Sequence, residues 1–200
     1  DLPEHDVFTQ LQISLFEKIS GQIMSELGYP ILRHVLNTAG ISRFPDAQFD
    51  MVRLGIGLYG ISPFTSEQPE LQNVSSLKST ISQLKKISKG ETIGYNRTGI
   101  ATDDMLVATV PIGYADGLSR RLSNGCGHLM VNQKLVPVVG NICMDMCMID
   151  VTGLNVKEGD EVVIFDSRRS IIQLAKEMET IPYEVLTAIS RRVKRVYFQE

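Results

Sequence analysis

Apolar residues recur with helical spacing in the first part of the chain. They stand at every fourth position from Val7 to Leu27, and Phe8, Phe16 and Met24 lie beside them. This spacing predicts one amphipathic helix over residues 7–27, which ends near Gly28.

Two apolar runs follow the predicted helix. Residues 29–36 (YPILRHVL) and 49–61 (FDMVRLGIGLYGI) predict short buried strands, and the small and polar residues 37–46 between them predict a loop. A helix, strand, loop, strand order is typical of one segment of an α/β layer. The polar, Pro-containing stretch 62–76 (SPFTSEQPELQNVSS) then predicts a linker. We therefore expect a first domain over residues 1–62 and a second over 63–200.

The second part of the chain has strand-like patterns. Predicted strands cover residues 77–87, 105–114, 128–139, 143–151 and 160–166. Ser170 and Gln173 form an S-x-x-Q capping box ahead of an apolar run, which predicts one helix. The chain as a whole is thus predicted to be α+β, with a mostly β C-terminal domain.

Composition narrows the functional classes. With 43% apolar and 22% charged residues and a net charge of −3, the chain of 200 residues resembles an ordinary globular protein. The basic stretch 190–197 (SRRVKRVY) is interpreted as a solvated strand face, so no nucleic-acid partner is expected. Because no apolar run approaches about 18 residues and the N-terminus lacks a signal-peptide pattern, no membrane partner is expected either.

The three cysteines do not form a metal-ligand pattern. Cys143 and Cys147 stand in an apolar run, and Cys126 stands in a Gly-rich turn without a second ligand pair nearby. We interpret all three as reduced, small core residues. The sequence therefore predicts no metal site and a cytoplasmic location.

Two segments of the first part contain candidate ligand-binding groups. His34–Gly40 (HVLNTAG) ends a predicted strand with a hydroxyl and backbone N–H groups, where α/β folds bind anions, although such residues also form ordinary turns. Arg53 lies within an apolar run, which leaves two interpretations open. It is either a core salt-bridge residue or a residue that faces a ligand, with Gly55 permitting close approach of the backbone.

Two Gly-Tyr pairs stand in the second part. Tyr95 is centred in KGETIGYNRTG, which predicts a turn, a strand and another turn, and Tyr114 lies in PIGYADG, which is consistent with a tight turn. Their local sequences do not assign chemistry to either ring.

Together these stretches resemble a known family. Its motifs match residues 34–60, 90–99, 111–122, 136–152 and 181–197. In this order and at this spacing they resemble the C-terminal half of alanine racemases, fold-type III enzymes that use pyridoxal 5'-phosphate. The resemblance implies that residues 1–62 are the end of an N-terminal β/α (TIM-type) barrel, followed by the family's β-rich domain.

The resemblance implies a set of cofactor-binding residues. Thr38, the backbone of Gly55 and Ile56, and the phenol of Tyr183 match groups at the cofactor phosphate. Arg53 matches the arginine that hydrogen-bonds the pyridine nitrogen, and His34 matches a supporting residue beside it. A guanidinium has no acceptor atom, so it holds that nitrogen unprotonated and weakens the ring as an electron sink.

The resemblance also implies a two-base mechanism in a homodimer. One base is the lysine that binds the cofactor covalently, and the other, matched by Tyr95, comes from the neighbouring subunit. The backbone of Met144 matches a group that holds the carboxylate of the amino-acid substrate, and Tyr114 matches a residue of the entry passage. Because a free phenol has a pKa of about 10, Tyr95 needs help to act near neutral pH.

The cofactor lysine has no match among these residues. Eight lysines, from Lys78 to Lys194, stand in polar or charged surroundings, whereas a Schiff-base lysine is usually desolvated. We therefore expect the 200 residues alone to be inactive, and the intact protein to supply D-alanine for peptidoglycan. Two alternatives remain: a racemase of the same family acting on serine, and a non-catalytic β-domain that docks a partner.

Overall fold

The structure is a computed structural model that describes residues 3–198. It divides into two compact units, and the boundary between them along the chain lies between Val74 and Ser75. Residues 63–74 thus belong to the first unit, although the sequence assigns them to the second.

The segment predicted as a linker folds back onto the first unit. The Glu67 carboxylate accepts hydrogen bonds from the hydroxyls of Ser42 (3.1 Å) and Ser62 (3.0 Å). The Gln68 amide donates to the Gly60 carbonyl at 2.9 Å and accepts from the Ser62 N–H at 2.9 Å. The polar residues that suggest a linker therefore bind neighbouring polar groups instead.

The first unit contains two helices and several short 3-10 turns. Helix α1 spans Asp6–Leu27 and helix α2 spans Thr38–Arg43, with 3-10 turns at Pro3–His5, Pro45–Ala47, Ile56–Tyr59 and Gln68–Glu70. Gly28 ends α1 in the left-handed conformation (φ 70°), and its N–H donates to the Met24 carbonyl. The predicted first helix is confirmed.

The two predicted strands of the first unit are not formed. Their backbones run side by side in the same direction, with Asp50 N–H donating to the Arg33 carbonyl (3.2 Å) and Arg53 N–H to the Leu36 carbonyl (3.0 Å). These contacts do not amount to a strand ladder, and after Gly55 the chain turns into the 3-10 helix Ile56–Tyr59. The prediction is therefore wrong in detail, since apolar character alone does not supply a partner strand.

Helix α1 has two apolar faces. Inside the unit, Phe16 packs edge-to-face on Phe49 with ring centroids 5.2 Å apart, and Ser20 is buried. The stripe that predicts the helix, from Val7 (82% exposed) through Leu15 to Leu27, is exposed along its length, although Leu15, Ile19 and Ile23 also line a cavity with Ile31 and Leu32. The unit thus leaves a long apolar surface exposed.

The second unit is built on one curled antiparallel sheet. Its strands are β1 (Leu77–Thr80), β2 (Gln83–Ile87), β3 (Thr92–Ile93), β4 (Gly99–Ile100), β5 (Met105–Val110), β6 (His128–Val131), β7 (Lys134–Val139), β8 (Cys147–Asp150) and β9 (Glu161–Phe165). Seven of them form a sheet in the order β1-β9-β6-β7-β8-β5-β2, and β3 pairs with β4 as a separate hairpin. The predicted α+β class with a mostly β second part is confirmed.

The two edge strands of this sheet are consecutive in the sequence. Only Ile81 and Ser82 separate β1 from β2, and their N–H groups donate to the carbonyls of Asp160 and Thr109, both at 2.9 Å. These acceptors stand at opposite ends of the sheet, beside β9 and in β5. The sheet therefore curls until its two edges meet, which leaves few backbone groups unpaired at an edge.

Two helices accompany the sheet, where the sequence predicts one. Helix α3 spans Ile171–Glu177, and Ser170 Oγ accepts from the Ile172 N–H (3.1 Å), which confirms Ser170 as the N-cap. Helix α4 spans Pro182–Ala188. Its signal in the sequence is Pro182, since proline is favoured in the first turn of a helix.

Several smaller predictions also need correction. Residues 190–197 form no strand, and Arg195 donates to the Ile189 carbonyl at 3.1 Å, so the stretch is not a solvated strand face. Cys147 is buried, and burial raises the pKa of its thiol to about 12, but Cys126 is exposed and is not a core residue. Within residues 3–198, no helix is long and apolar enough to cross a membrane.

Candidate active site

The candidate site residues fall into two groups, one in each unit. The first unit holds five of the six matched to the cofactor, all except Tyr183: His34, Thr38, Arg53, Gly55 and Ile56. The second unit holds Tyr95, Tyr114, Met144 and Tyr183.

In the first unit, the Thr38 side chain joins two segments of backbone. Thr38 is buried at the start of α2, and its Oγ1 accepts hydrogen bonds from the N–H groups of Gly55 (3.0 Å) and Gly57 (3.5 Å). Because both bonds use the oxygen as acceptor, the hydroxyl proton remains free to be donated. A Cβ at residue 57 would lie 3.0 Å from Thr38 Cγ2, so a glycine there favours this close approach.

Helix α2 begins at Thr38, the residue that carries this hydroxyl. The Asn37 side chain caps the helix by accepting from the Gly40 N–H at 3.0 Å. Ile56 is buried and opens the 3-10 turn that follows Gly55. N–H groups in the first turn of a helix have no acceptor within it, so this place offers donors but no negative charge.

Arg53 is exposed rather than buried, in contrast to the expectation from its apolar surroundings. Its guanidinium lies 3.0 Å from His34 Nδ1 and donates to the Val35 carbonyl at 3.3 Å. Arginine can only donate, so His34 Nδ1 is the acceptor and the imidazole proton sits on Nε2. Neither partner is a carboxylate, which excludes a core salt bridge for this arginine.

In the second unit, Tyr95 stands at the tip of the hairpin formed by β3 and β4. It begins a 3-10 turn after Gly94, whereas the sequence pattern predicts a strand at this position. Asn96 and Arg97 have φ angles of 60° and 56°, which turn the chain sharply. The result is a phenol that is 73% exposed.

Tyr114 and Met144 lie on two loops that are hydrogen-bonded to each other. The N–H groups of Tyr114 and Ala115 donate to the carbonyls of Cys143 and Met144, both at 3.0 Å. Gly113 makes this possible, because a Cβ there would stand 2.3 Å from the Cys143 oxygen. Both side chains are exposed, so they are available to a ligand.

An ion-pair cluster that sequence reasoning missed ties these loops to the C-terminal segment. Arg192 Nε donates to Asp116 (2.7 Å) and its Nη2 donates to Asp145 (2.7 Å). Burial favours a higher pKa for Asp116, but the Arg192 guanidinium and the Gly113 N–H outweigh it and lower the pKa. Arg192 therefore holds the Tyr114 turn and the Met144 loop together, and no local pattern around it signals this role.

Tyr183 is half-exposed on α4. The end of that helix lies against the same turn, since a Cβ on Gly117 would be 2.6 Å from the Ala188 oxygen. Gly117 has a φ of 110°, which other residues rarely adopt. The second unit thus brings α4, the Tyr114 turn and the Met144 loop together.

The described residues contain no buried lysine. All eight lysines considered above are exposed, and so is Lys18 on α1. A desolvated lysine of the kind that binds a carbonyl cofactor is therefore absent from residues 3–198.

The comparisons with known proteins agree with this division of the chain. The profile of the alanine racemase N-terminal domain matches residues 1–63, and that of the alanine racemase C-terminal domain matches residues 74–197. An alanine racemase of Clostridium tetani is 39% identical over 96% of the chain and 52% of its own length. The chain spans about half the length of the relatives it matches.

Solved structures give the same result. Alanine racemase from Bacillus anthracis with bound L-Ala-P has a TM-score of 0.87 and 34% identity, and covers 100% of this chain and 53% of its own. Alanine racemase from Bartonella henselae with covalently bound pyridoxal phosphate has a TM-score of 0.83 and 32% identity over 95% of this chain and 52% of its own. The fold and sequence thus define a relative of amino-acid racemases. The chain belongs to the alanine racemase family.

Proposed function

We propose that the protein to which these residues belong interconverts L- and D-alanine with pyridoxal 5'-phosphate. Residues 1–62 would be the end of its N-terminal barrel, and residues 63–200 would carry its β-rich domain after the segment 63–74, which packs with the first unit. The observation that carries the proposal is the buried Thr38 hydroxyl, which accepts from the N–H groups of Gly55 and Gly57 and keeps its proton for an anion. The names of its relatives supply the reaction.

The residues of the first unit fit the cofactor by their chemistry. The Thr38 hydroxyl and the backbone of Gly55 and Ile56 suit a phosphate. Tyr183 would add its phenol from α4. Arg53, fixed by His34, would donate to the pyridine nitrogen. When bound, pyridoxal phosphate supplies an electron sink that makes the α-proton of an amino acid more acidic.

Arg53 would also limit the reactions that take place. Because a guanidinium cannot accept a proton, it leaves the ring nitrogen unprotonated and the electron sink weaker than a carboxylate partner would. Racemisation needs only that one proton leave Cα and another arrive on the opposite face. A weaker sink therefore favours racemisation over transamination.

Tyr95 would move the proton on one face, with the Met144 backbone holding the substrate carboxylate and Tyr114 lining the entry. At 73% exposure, its phenol would share its protons with bulk water, so it needs a covering surface to act selectively. A second subunit would provide that cover, which supports a homodimer. We expect a cytoplasmic enzyme whose D-alanine serves peptidoglycan synthesis.

The proposal is tested with the full-length protein. Racemisation of alanine and exchange of the α-proton with deuterated water are measured from each enantiomer, in the wild type and in Tyr95→Phe. We expect Tyr95→Phe to lower racemisation at least about 100-fold, the range that general acid–base catalysis contributes. Exchange should be lost from one enantiomer and kept from the other.

Exposed Tyr197, on the same unit, provides a matched control, and Tyr197→Phe should leave both measurements unchanged. Equal exchange from both enantiomers in Tyr95→Phe would exclude Tyr95 as the second base. If the wild type racemises serine faster than alanine, the proposed substrate is wrong and the protein is a serine-acting member of the family. The 200 residues alone should show no racemisation, because the described lysines are all exposed.

A further inference from the structure

The backbone of Tyr95 is held by a side chain that no motif singles out. Asn141, on the segment between β7 and β8, is buried, and its Nδ2 donates to the Tyr95 carbonyl at 3.2 Å. Its Oδ1 accepts from Asn124 Nδ2 at 3.1 Å. The two contacts join three separate parts of the chain at the tip of the hairpin.

The chemistry fixes the orientation of this amide. A backbone carbonyl can only accept, so the nitrogen of Asn141 must face Tyr95 and its oxygen must face Asn124. Both polar ends of the buried side chain are therefore satisfied in one arrangement only. A buried amide that is bonded at both ends holds the groups that it contacts in one arrangement.

The surrounding glycines bring the hairpin close to the same segment. A Cβ on Gly99 would lie 3.0 Å from Gly140 Cα, and a Cβ on Gly140 would lie 2.8 Å from the Ile93 carbonyl oxygen. Gly94, directly before Tyr95, has a φ of 75° and ψ of −178°, a conformation that is essentially restricted to glycine. The hairpin thus packs backbone against backbone, and Asn141 provides a directed bond to Tyr95 within this contact.

The segment also continues into the candidate substrate loop. Two residues after Asn141, the carbonyls of Cys143 and Met144 accept from Tyr114 and Ala115. In between, the Ile142 N–H donates to the Ser123 hydroxyl at 3.0 Å in a buried position. One short, anchored segment therefore connects the Tyr95 backbone to the backbone that carries Met144.

We propose that Asn141 is a positioning residue for Tyr95, which sets the phenol relative to the Met144 loop. The inference rests on the proposed function for the role of Tyr95. The hydrogen bond from Asn141 to Tyr95 is made to the backbone carbonyl and not to the phenol, so the effect of Asn141 on the reaction is indirect. A displacement of about 1 Å can lower a rate as much as 100-fold.

The test replaces Asn141 by Asp in the full-length protein loaded with pyridoxal phosphate. The new carboxylate can still accept from Asn124 but presents an oxygen to the Tyr95 carbonyl. We expect kcat for racemisation to fall about 10- to 100-fold. The primary isotope effect with α-deuterated alanine should rise for the enantiomer whose exchange Tyr95→Phe abolishes and fall for the other.

Asn132→Asp is the matched control. Asn132 also donates from Nδ2 to a backbone carbonyl, that of Asn155 at 3.1 Å, but on the β6–β7 turn. Asn132→Asp should leave kcat and both isotope effects unchanged. Asn141→Ala removes the donor without adding a charge, and it should give the same change in isotope effects if Asn141→Asp folds poorly.

Hydrogen exchange separates this inference from the proposed function. Amides of residues 92–100 should exchange at least tenfold faster in the Asn141 variants than in the wild type or Asn132→Asp, whether or not the protein is active. Unchanged exchange would overturn the anchoring. Faster exchange with unchanged isotope effects would overturn the positioning role, whereas a wild type without any racemisation would overturn the proposed function and with it the link to catalysis.

Discussion

The two units of this chain bury their apolar residues to different extents. In the first unit, a stripe along α1 from Val7 to Leu27 is exposed, and the extended segments form no ladder. In the second, a curled sheet joins its own edges through Ile81 and Ser82, and residues such as Leu129 and Ile149 are fully buried. The second unit buries a larger set of apolar side chains and pairs its sheet edges, whereas the first leaves the α1 stripe exposed and its extended segments without a ladder.

The difference shows how each candidate group is supported. The Thr38 and Arg53 contacts stand on a unit whose stability depends on covering an apolar surface. The Tyr114 and Met144 loops are fixed by backbone hydrogen bonds, glycine contacts and the Arg192 ion pairs of a closed unit. We therefore expect the second group to keep its geometry under conditions that disturb the first.

The largest expected effect is a difference in local stability within the 200-residue chain. Amides of α1 should open with a far smaller free energy than those of β6 and β7, because local opening ranges from near zero to the global free energy of unfolding. Hydrogen exchange followed by mass spectrometry measures both regions in one sample. Equal protection of α1 and the sheet would remove the contrast between the units.

The second prediction concerns the buried ion pair of the second unit. Arg169 is 1% exposed, and it donates to Glu177 at 2.8 Å and to the Ile164 carbonyl at 3.1 Å. Arg169→Ala should lower the free energy of unfolding by about 3–5 kcal/mol, since it removes the charged partner of Glu177 and leaves that carboxylate only the His128 N–H. Urea denaturation gives the value.

Its sequence neighbour supplies the comparison. Arg168 pairs with Asp166 and Glu161 but its side chain is 44% exposed, so Arg168→Ala should cost only about 1 kcal/mol. Similar losses for the two variants would mean that burial does not decide the strength of these pairs.

The third prediction tests the close contact beneath Tyr114. Gly113→Ala would place a methyl group 2.3 Å from the Cys143 oxygen, and overpacking of this kind costs about 1–3 kcal/mol. Gly21→Ala in α1 meets nothing within 4 Å and should instead stabilise by about 0.5–1 kcal/mol. Thermal denaturation of both variants checks the opposite signs, and a neutral Gly113→Ala would show that the two loops can separate freely.

The smallest expected effect is on the pH dependence of the second unit. Burial tends to raise the pKa of Asp166, but the Arg168 guanidinium and the N–H groups of Arg169 and Arg168 lower it overall. Because the folded pKa is below the unfolded value of about 3.9, the stabilisation is present above that pH and is lost as pH falls below it toward the folded pKa.

Urea midpoints at pH 6 and pH 3 measure this loss. Asp166→Asn should be less stable at pH 6 and should change less between the two pH values than the wild type. Asp103→Asn, at an exposed position, should follow the wild type. An unaltered pH dependence in Asp166→Asn would assign the acid sensitivity to other carboxylates.

Part of the fold follows from local patterns. The four-residue repeat predicts α1, alternating residues predict most strands of the sheet, and Ser170 predicts the start of α3. Pro182 is a local signal for the start of α4, whereas the spacing of apolar residues does not predict this helix. The predicted strands at 29–36 and 49–61 failed because strand formation depends on a partner, which apolar character does not encode.

The candidate site shows the same limit. The motif residues Thr38, Arg53, Tyr95 and Tyr114 can be identified in the sequence by resemblance, and their chemical roles remain predictions. Asn141 and Arg192 lie within matched segments, but their roles could not be found in this way, because the Tyr95 carbonyl and the two carboxylates that they bind are at least 46 positions away. Their partners become neighbours only when the sheet curls.

The sequence by itself determined which segments favour helix or strand and to which family the motifs point, since both depend on residue type and spacing along the chain. Tertiary structure alone decided that the α1 stripe is exposed, that Arg53 is exposed beside His34, and that Tyr95 stands at a hairpin tip held by Asn141. The physical reason is that burial, hydrogen-bond partners and close backbone contacts belong to pairs of distant residues. Local preference cannot specify such pairs until the chain has folded.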